Sequence, residues 1–430
     1  MTTVDARSNP EVGIVMAGGG ARGAYEVGVL ATLLPYLEAR GERPGVALGT
    51  SIGALNAAFL ASTAHMSATE AVSELIKVWR NVQFSDLVGP LVSVRQIFSL
   101  MMYAGGLLGI PQARVHSLLD GTPLPGALQD LIDFDQLHRN SDNGLFPALA
   151  VVATSYATAQ SVVFHEGPAG VAVQTDVKRA IRYVPTRVDW QHVQSSASIP
   201  LAFPATRVDV PSEAAGWYGD GGTRLNTPIK PCLKLGAKRV IVIGLNSSVV
   251  PNEPETYQPD IFDGGAQMIQ ALMADQVAQD VMTLSSGNRD MADVDRDGLP
   301  DDAHEPVPYI FVSPRDRLTV GRLAADVFKD HLSDLRALIR ARDLATIGRF
   351  IGAGDSAVRG ELFSFLFFAT EFHNALIDLG RQDAERWLSL THDDGPWRLG
   401  EPPLPPPPPP PRPRGTKPTR RRRAKAAADR

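Results

Sequence analysis

The hydrophobic residues in the first 250 positions of the chain form short runs separated by stretches with helical periodicity. Uninterrupted apolar runs of this length are typical of strands buried in a parallel sheet. Residues 22–38 predict a helix, because Tyr25, Val29, Leu33 and Leu37 recur every four positions, and the Ala- and Leu-rich residues 51–62 predict another. The predicted strands are 12–16, 45–48, 146–156 and 239–245. This alternation predicts an α/β fold with a mostly parallel central sheet.

The pattern changes after about residue 250, where apolar positions follow helical faces over 268–281 and 320–338. Residues 359–376 hold five of the sixteen Phe, which favours a core helix over a lipid-facing surface. We therefore predict a mainly helical C-terminal region over 246–400. Residues 1–10 are predicted to be a disordered lead-in, and the Pro- and Arg-rich residues 401–430 a disordered tail.

The composition is that of a globular protein, with 44% hydrophobic and 21% charged residues among 430. We see no secretory signal, and no apolar run reaches the roughly 18–20 residues of a membrane-spanning helix. Cys232 is the only cysteine, which fits a reducing compartment, so we expect a cytoplasmic protein. Residues 401–430 hold nine Lys/Arg and two Asp/Glu, which leaves 33 Lys/Arg against 45 Asp/Glu, a net charge of −12, in residues 1–400. An acidic body argues against nucleic acid as a partner, whereas the basic tail leaves contact with a membrane surface open.

A glycine-rich loop follows the first predicted strand. Gly18, Gly20 and Gly23 have the G-x-G-x-x-G spacing of a dinucleotide-binding turn. Such a site also needs an acidic residue at the end of the second strand, to hold the ribose. No acid stands there, and Glu38, at the right separation, lies in the predicted first helix. A nucleotide-binding protein is therefore the weakest of our functional hypotheses.

The second predicted strand ends instead in Gly49-Thr50-Ser51-Ile52-Gly53, the only G-x-S-x-G of the chain. A predicted strand precedes this pentapeptide and a predicted helix follows it. A nucleophilic serine on a sharp turn between strand and helix is typical of this arrangement. The alternative is a tight turn in which Ser51 caps the helix. A nucleophilic serine needs donors for the developing oxyanion, and the backbone amides of Gly18, Gly19 and Gly20 are candidates.

The base that would activate Ser51 is less evident from the sequence. Four histidines follow residue 300, none at a recognisable strand end: His304, His331, His373 and His392. Asp220 lies in a Gly-flanked turn, and although an aspartate has an ordinary pKa of about 3.9, burial would raise it toward that of a useful base. Asp263 begins a second Asp-Gly-Gly sequence, but it precedes an amphipathic run, which predicts that it caps a helix. We favour a direct Ser51–Asp220 dyad.

Together these motifs resemble the patatin-like phospholipase family. The segments AGGGARGAYEVGVL, GTSIGALNA and DGGTRLNTP resemble its oxyanion loop, nucleophile elbow and aspartate motif, and SSASIPLAFP resembles the segment before the aspartate. The resemblance covers residues 12–245 and implies a three-layer α/β/α catalytic domain there. It also implies that this domain hydrolyses lipid acyl esters without a metal or cofactor.

By the same resemblance, Ser51 is the nucleophile, Asp220 the general base and the Gly18–Gly20 loop the oxyanion site. Arg22 matches the arginine of the glycine-rich motif and is expected to steady the loop or to bind an anionic head group. The remaining motif positions are Gly23, Gly49, Thr50, Ile52, Gly53, Gly221 and Gly222. A catalytically inactive binding protein on the same fold and a Ser-His-Asp hydrolase stay as alternatives.

Two segments modify this interpretation. The apolar residues 95–111, interrupted by Gly105-Gly106, predict an acyl-binding lid, a membrane contact or, equally, an inserted pair of core helices. Residues 293–302 match the start of a calcium loop, but His304 stands where a bidentate Glu is required. We favour a hydrated acidic loop there and predict no metal site.

Overall fold

The computed structural model describes residues 9–89, 117, 119–167, 173–247, 249, 258–292, 305–332, 341–390 and 395–403. Within these residues nine strands form a single sheet. The strands are β1 (Asn9–Met16), β2 (Pro44–Thr50), β3 (Ala148–Ser155), β4 (Ser161–Glu166), β5 (Ile181–Pro185), β6 (Thr206–Val208), β7 (Gly216–Asp220), β8 (Arg239–Ile243) and β9 (Tyr309–Val312).

The sheet is mostly parallel, as predicted. Its order is β5-β4-β3-β2-β1-β8-β9, and the five strands from β3 to β9 in that order run parallel to one another. Antiparallel pairs join β3 to β4, β3 to β7 and β6 to β7. All four predicted strands are present as β1, β2, β3 and β8. The sequence analysis did not assign β4, β5, β6, β7 and β9, which are only three to six residues long.

Helices cover the sheet and make up most of the C-terminal half. The predicted helices at 22–38 and 51–62 are confirmed as the first two. The helices of the described residues are α1 (Gly23–Glu38), α2 (Ile52–Ser62), α3 (Ala68–Asn81), α4 (Phe84–Leu87), α5 (Leu124–Leu131), α6 (Phe134–Asp142), α7 (Trp190–Ala197), α8 (Ile229–Lys234), α9 (Ile261–Ala292), α10 (Thr319–His331), α11 (Arg342–Ile351), α12 (Ala357–Ser364) and α13 (Thr370–Ser389).

The C-terminal region shares its core with the α/β half. β9 extends the sheet beside β8, and one hydrophobic cluster contains residues from both halves. α13 packs so closely on α1 that a Cβ at Gly28 would lie 2.1 Å from the Ile377 carbonyl oxygen, and one at Gly380 would lie 2.2 Å from that of Tyr25. The boundary at residue 245 between a catalytic domain and a C-terminal region stays a prediction. The described residues on either side of it pack into one core.

The Phe-rich segment 359–376 lies in the core, as the sequence analysis predicted, but it does not form a single helix. α12 ends at Ser364 and α13 begins at Thr370. At this break the Phe365 carbonyl accepts a hydrogen bond from the Ala21 amide, at 3.0 Å. All five aromatic rings are at most 8% exposed: Phe363, Phe365, Phe367, Phe368 and Phe372.

Four predictions fall wholly or mostly on residues outside the described ranges. They concern residues 1–8 of the lead-in, the apolar segment 95–111, the acidic loop 293–302 and the tail from residue 404 onward. The last two residues of the predicted lead-in, Asn9 and Pro10, belong to β1. Among the described helices, none combines the length and the apolar character needed to cross a membrane.

Candidate active site

The sharp turn between β2 and α2 carries Ser51. Its backbone has φ 55° and ψ −123°, a conformation that costs a non-glycine residue about 1–3 kcal/mol. The flanking glycines are required by close backbone approach: a Cβ at Gly49 would lie 2.1 Å from the Gly53 carbonyl oxygen, and one at Gly53 would lie 2.4 Å from that of Met16. The Ser51 side chain makes no capping hydrogen bond to α2. The Ser51 side chain therefore does not cap this helix.

A second serine, Ser196 in α7, ties this turn to β3. Its hydroxyl accepts a hydrogen bond from the Ser51 amide at 2.8 Å and donates one to the Val152 carbonyl at 2.5 Å. Ser196 is fully buried, so both bonds form away from water. The turn that presents Ser51 is thus held from the sheet side by a side chain that the sequence analysis did not single out.

Asp220, the last residue of β7, is only 2% exposed and lies beside Ser51. Burial raises the pKa of its carboxyl to about 6, against the opposing effects of the Ser51 hydroxyl and of the Gly222 amide, which donates to Oδ1 at 2.7 Å. Among the described residues, no donor reaches Oδ2 in normal hydrogen-bond geometry. The serine hydroxyl therefore lies near a carboxylate oxygen that has capacity to take a proton close to neutral pH.

The glycine-rich loop lies against the same serine. A Cβ on Gly18 would approach the Ser51 Cβ to 3.0 Å, so the loop and the nucleophile turn are in direct contact. The Gly18 amide donates to Asn226 Oδ1 at 2.8 Å and is already occupied. Within the described chain, the amides of Gly19 and Gly20 have no acceptor. Of the three predicted oxyanion donors, the structure leaves the second and the third available.

Arg22 does not face an open site. It is 1% exposed, and burial lowers its pKa while the Glu361 carboxylate opposes that effect. The guanidinium forms an ion pair with Glu361, donates to Ser364 Oγ at 2.7 Å and Asn246 Oδ1 at 2.8 Å, and lies 3.9 Å from the Phe365 ring. The Arg22 donors are thus engaged inside the protein, with residues of α12 and with Asn246.

None of the described histidines forms a hydrogen bond with Ser51. His373 is buried, its Nδ1 lies 2.6 Å from the Trp79 carbonyl oxygen, and burial lowers its pKa to about 4. His331 is an exposed residue at the end of α10. His304 and His392 lie outside the described residues. Asp220 is the ionisable group whose pKa the Ser51 hydroxyl affects, so the described residues favour Asp220 over a histidine as the base.

Asp263 has the structural role predicted for it. Its carboxylate accepts from the Asp260 amide at 2.9 Å, and its own amide donates to Asp260 Oδ1 at 3.2 Å, a reciprocal cap at the start of α9. Within the described ranges, no group of three or more His, Cys, Asp or Glu side chains is arranged to hold a metal ion.

Comparison with known proteins identifies a family. A family model described as patatin-like phospholipase matches residues 14–233. No curated protein matches the chain. The similar solved structures include VipD from Legionella pneumophila, at 15% identity, a TM-score of 0.30, and coverage of 81% of this chain and 78% of that one.

Two further solved structures have comparable similarity. Human GIVD cytosolic phospholipase A2, in complex with methyl gamma-linolenyl fluorophosphonate, is 12% identical with a TM-score of 0.28, over 89% of this chain and 60% of that one. The ExoU–SpcU complex of the Pseudomonas aeruginosa type III secretion system is 17% identical with a TM-score of 0.26, over 90% and 74%.

Proposed function

The chain belongs to the patatin-like phospholipase family of lipid hydrolases, and we propose that it cleaves fatty acyl esters of phospholipids or related lipids through a Ser51–Asp220 dyad. One observation carries this proposal. A serine on a strained turn lies beside a buried aspartate whose pKa, about 6, suits it to accept a proton near neutral pH.

Acylation begins when Asp220 takes the proton of the Ser51 hydroxyl as Oγ attacks the ester carbonyl carbon. The carbonyl oxygen becomes an oxyanion, for which the amides of Gly19 and Gly20 are the available donors. The C–O bond to the alcohol or lysolipid then breaks, and the leaving oxygen receives the proton from Asp220. The product is an acyl ester on Ser51.

Deacylation repeats the same proton transfers with water. Asp220 takes a proton from a water molecule as that water attacks the acyl carbonyl, and the same two amides bear the second oxyanion. The fatty acid departs and Ser51 recovers its proton from Asp220. A single base serves both halves because each step returns it to the ionised form.

The decisive experiment compares lipid profiles generated by the purified full chain and by its Ser51→Ala variant, together with hydrolysis of a chromogenic acyl ester. We expect wild type to release fatty acid and to be labelled at Ser51 by an alkyl fluorophosphonate. Ser51→Ala and Asp220→Asn should both abolish hydrolysis while retaining the fold. Ser62→Ala is a matched control, because Ser62 is a buried serine at the far end of α2 and its hydroxyl donates to the Phe59 carbonyl within that helix.

Two outcomes would contradict the proposal. Full activity in Asp220→Asn would exclude the dyad and return attention to the histidines. A wild-type protein that neither hydrolyses esters nor reacts with the fluorophosphonate would favour an inactive binding protein on the same fold. A rise in melting temperature with ATP or NAD would instead favour nucleotide binding.

A further inference from the structure

The glycine-rich loop is held from outside the region that the family model matches. That match ends at residue 233, whereas Arg22 binds Glu361 and Ser364, which belong to α12. We propose that Glu361 is a positioning residue for the reaction, and that α12 and the break after it hold the oxyanion loop in its productive shape. This inference rests on the proposed function of the loop.

Glu361 connects three parts of the structure. One carboxylate oxygen pairs with Arg22, and the other accepts from the Gly321 amide in α10 at 2.7 Å. The Glu361 backbone carbonyl also accepts from Arg22 Nη2 at 2.7 Å. Both charged groups are 1% exposed, so they can neither exchange partners with water nor move independently. The carboxylate therefore fixes Arg22 in one orientation relative to α10 and α12.

The arginine transmits this restraint to the donors themselves. Arg22 ends the 3₁₀ turn 20–22, which directly follows Gly19, and its amide donates to the Gly19 carbonyl at 3.3 Å. Gly20 has φ 59°, and a Cβ there would lie 2.2 Å from the Phe365 carbonyl oxygen, so the loop lies directly on the break between α12 and α13. The Ala21 amide donates to that same carbonyl.

Preorganisation explains why this support matters for rate. Oxyanion donors lower the barrier only if they are already aimed at the developing charge, because a loop that must reorganise loses that advantage. The amides of Gly19 and Gly20 belong to residues without side chains to restrain them. The ion pair and the Phe365 carbonyl supply that restraint, so the C-terminal region takes part in catalysis through the loop.

The test is Glu361→Gln in the full chain, with Asp383→Asn as the matched control. Glutamine keeps the shape but places an amide group against one of the donors, Arg22 or Gly321. Asp383 is also a buried carboxylate of the C-terminal region that bonds to α1, through Tyr25 at 2.9 Å, but it does not contact the loop. Ser364→Ala, which removes a single acceptor from Arg22, is a milder variant should Glu361→Gln fail to fold.

We expect Glu361→Gln to lower kcat by roughly 10- to 100-fold with KM within about threefold, because an oxyanion interaction acts mainly in the transition state. Hydrogen exchange of the peptide covering residues 17–23 should accelerate in the same variant. Asp383→Asn should leave kcat and the exchange of that peptide within about twofold of wild type.

Two results would overturn the inference. One is a folded Glu361→Gln variant that keeps wild-type kcat and loop exchange. The other is an equal loss of kcat in Asp383→Asn at matched stability, which would indicate a merely structural role. If wild type itself hydrolyses no ester, the proposed function fails, and loop exchange in Glu361→Gln against Asp383→Asn still decides whether Glu361 positions the loop.

Discussion

Ser51 and Asp220 meet because the strands that lead to them approach each other head to head along one edge of β3. β2 runs parallel to β3 and ends with Thr50 paired to Val152, and β7 runs antiparallel and ends with Asp220 paired to Ala153, the next residue. The opposite edge of β3 is occupied by β4. The two strands thus end beside adjacent residues of β3, and Ser51 and Asp220, 169 positions apart in sequence, lie side by side in one buried site.

The pH dependence of activity should follow the ionisation of Asp220. Its carboxylate must be ionised to accept the Ser51 proton, and burial raises its pKa to about 6. We expect kcat/KM on an uncharged acyl ester to rise about tenfold per pH unit below pH 6 and to level off above it. Circular dichroism at each pH checks that the fold persists. A profile that is flat from pH 5 to pH 8 would exclude this assignment.

Asp220→Asn should stabilise the protein at alkaline pH while abolishing activity. The pKa of Asp220 is about 6 in the folded state against 3.8 for the ordinary group, so the folded state binds more protons between these values and stability falls as pH rises through them. Removing the ionisable group should therefore raise the free energy of unfolding by up to about 3 kcal/mol at pH 8.

Urea unfolding of wild type and Asp220→Asn at pH 8 and pH 4 measures this effect. The difference between the two proteins should disappear near pH 4, where the carboxyl is protonated in the folded state. An Asp220→Asn protein that is less stable than wild type at pH 8 would mean that the carboxylate stabilises the fold, contrary to the burial argument.

The strained backbone at Ser51 should lower the stability of the folded protein by a measurable amount. Ser51→Gly relieves the unfavourable φ of 55°, whereas Ser51→Ala keeps the Cβ and the strain. We expect Ser51→Gly to be more stable than Ser51→Ala by about 1 kcal/mol, after the greater backbone entropy of glycine in the unfolded chain is allowed for. Both variants lack the nucleophile, so differential scanning calorimetry is the readout. Equal melting temperatures would indicate that the turn relaxes without cost.

The buried Arg22–Glu361 pair should show strong coupling in a double-mutant cycle. Arg22→Met leaves the Glu361 carboxylate buried without its cation, and we expect a loss of about 3–5 kcal/mol in the free energy of unfolding. The double variant Arg22→Met/Glu361→Met removes both charges and should recover most of that loss. Its activity should stay low because the loop has lost its restraint. Strictly additive losses in denaturant unfolding would refute the coupling.

The sequence by itself determined the local elements and the chemical groups of the site. Apolar runs were enough to predict β1, β2, β3 and β8. A strand buried on both faces is a continuous run of apolar residues, which can be recognised from neighbouring positions alone. The Gly-flanked motifs singled out Ser51 and Asp220, because sharp turns and close backbone approach restrict which residues fit. For the same reason Asp263 could be assigned as a helix cap before its contacts were known.

Only the tertiary structure decided which groups are occupied and which remain available. No local pattern reveals that Asn226 takes the Gly18 amide, that Ser196 bridges Ser51 to β3, or that Arg22 is enclosed by Glu361. The break at Phe365 was likewise hidden, because its carbonyl accepts a hydrogen bond from Ala21 in the glycine-rich loop and not from within a helix. These contacts join residues separated by 145 to more than 300 positions. Their formation depends on how the sheet and the helices pack. The periodicity of a sequence indicates only local secondary structure, so it does not predict these contacts.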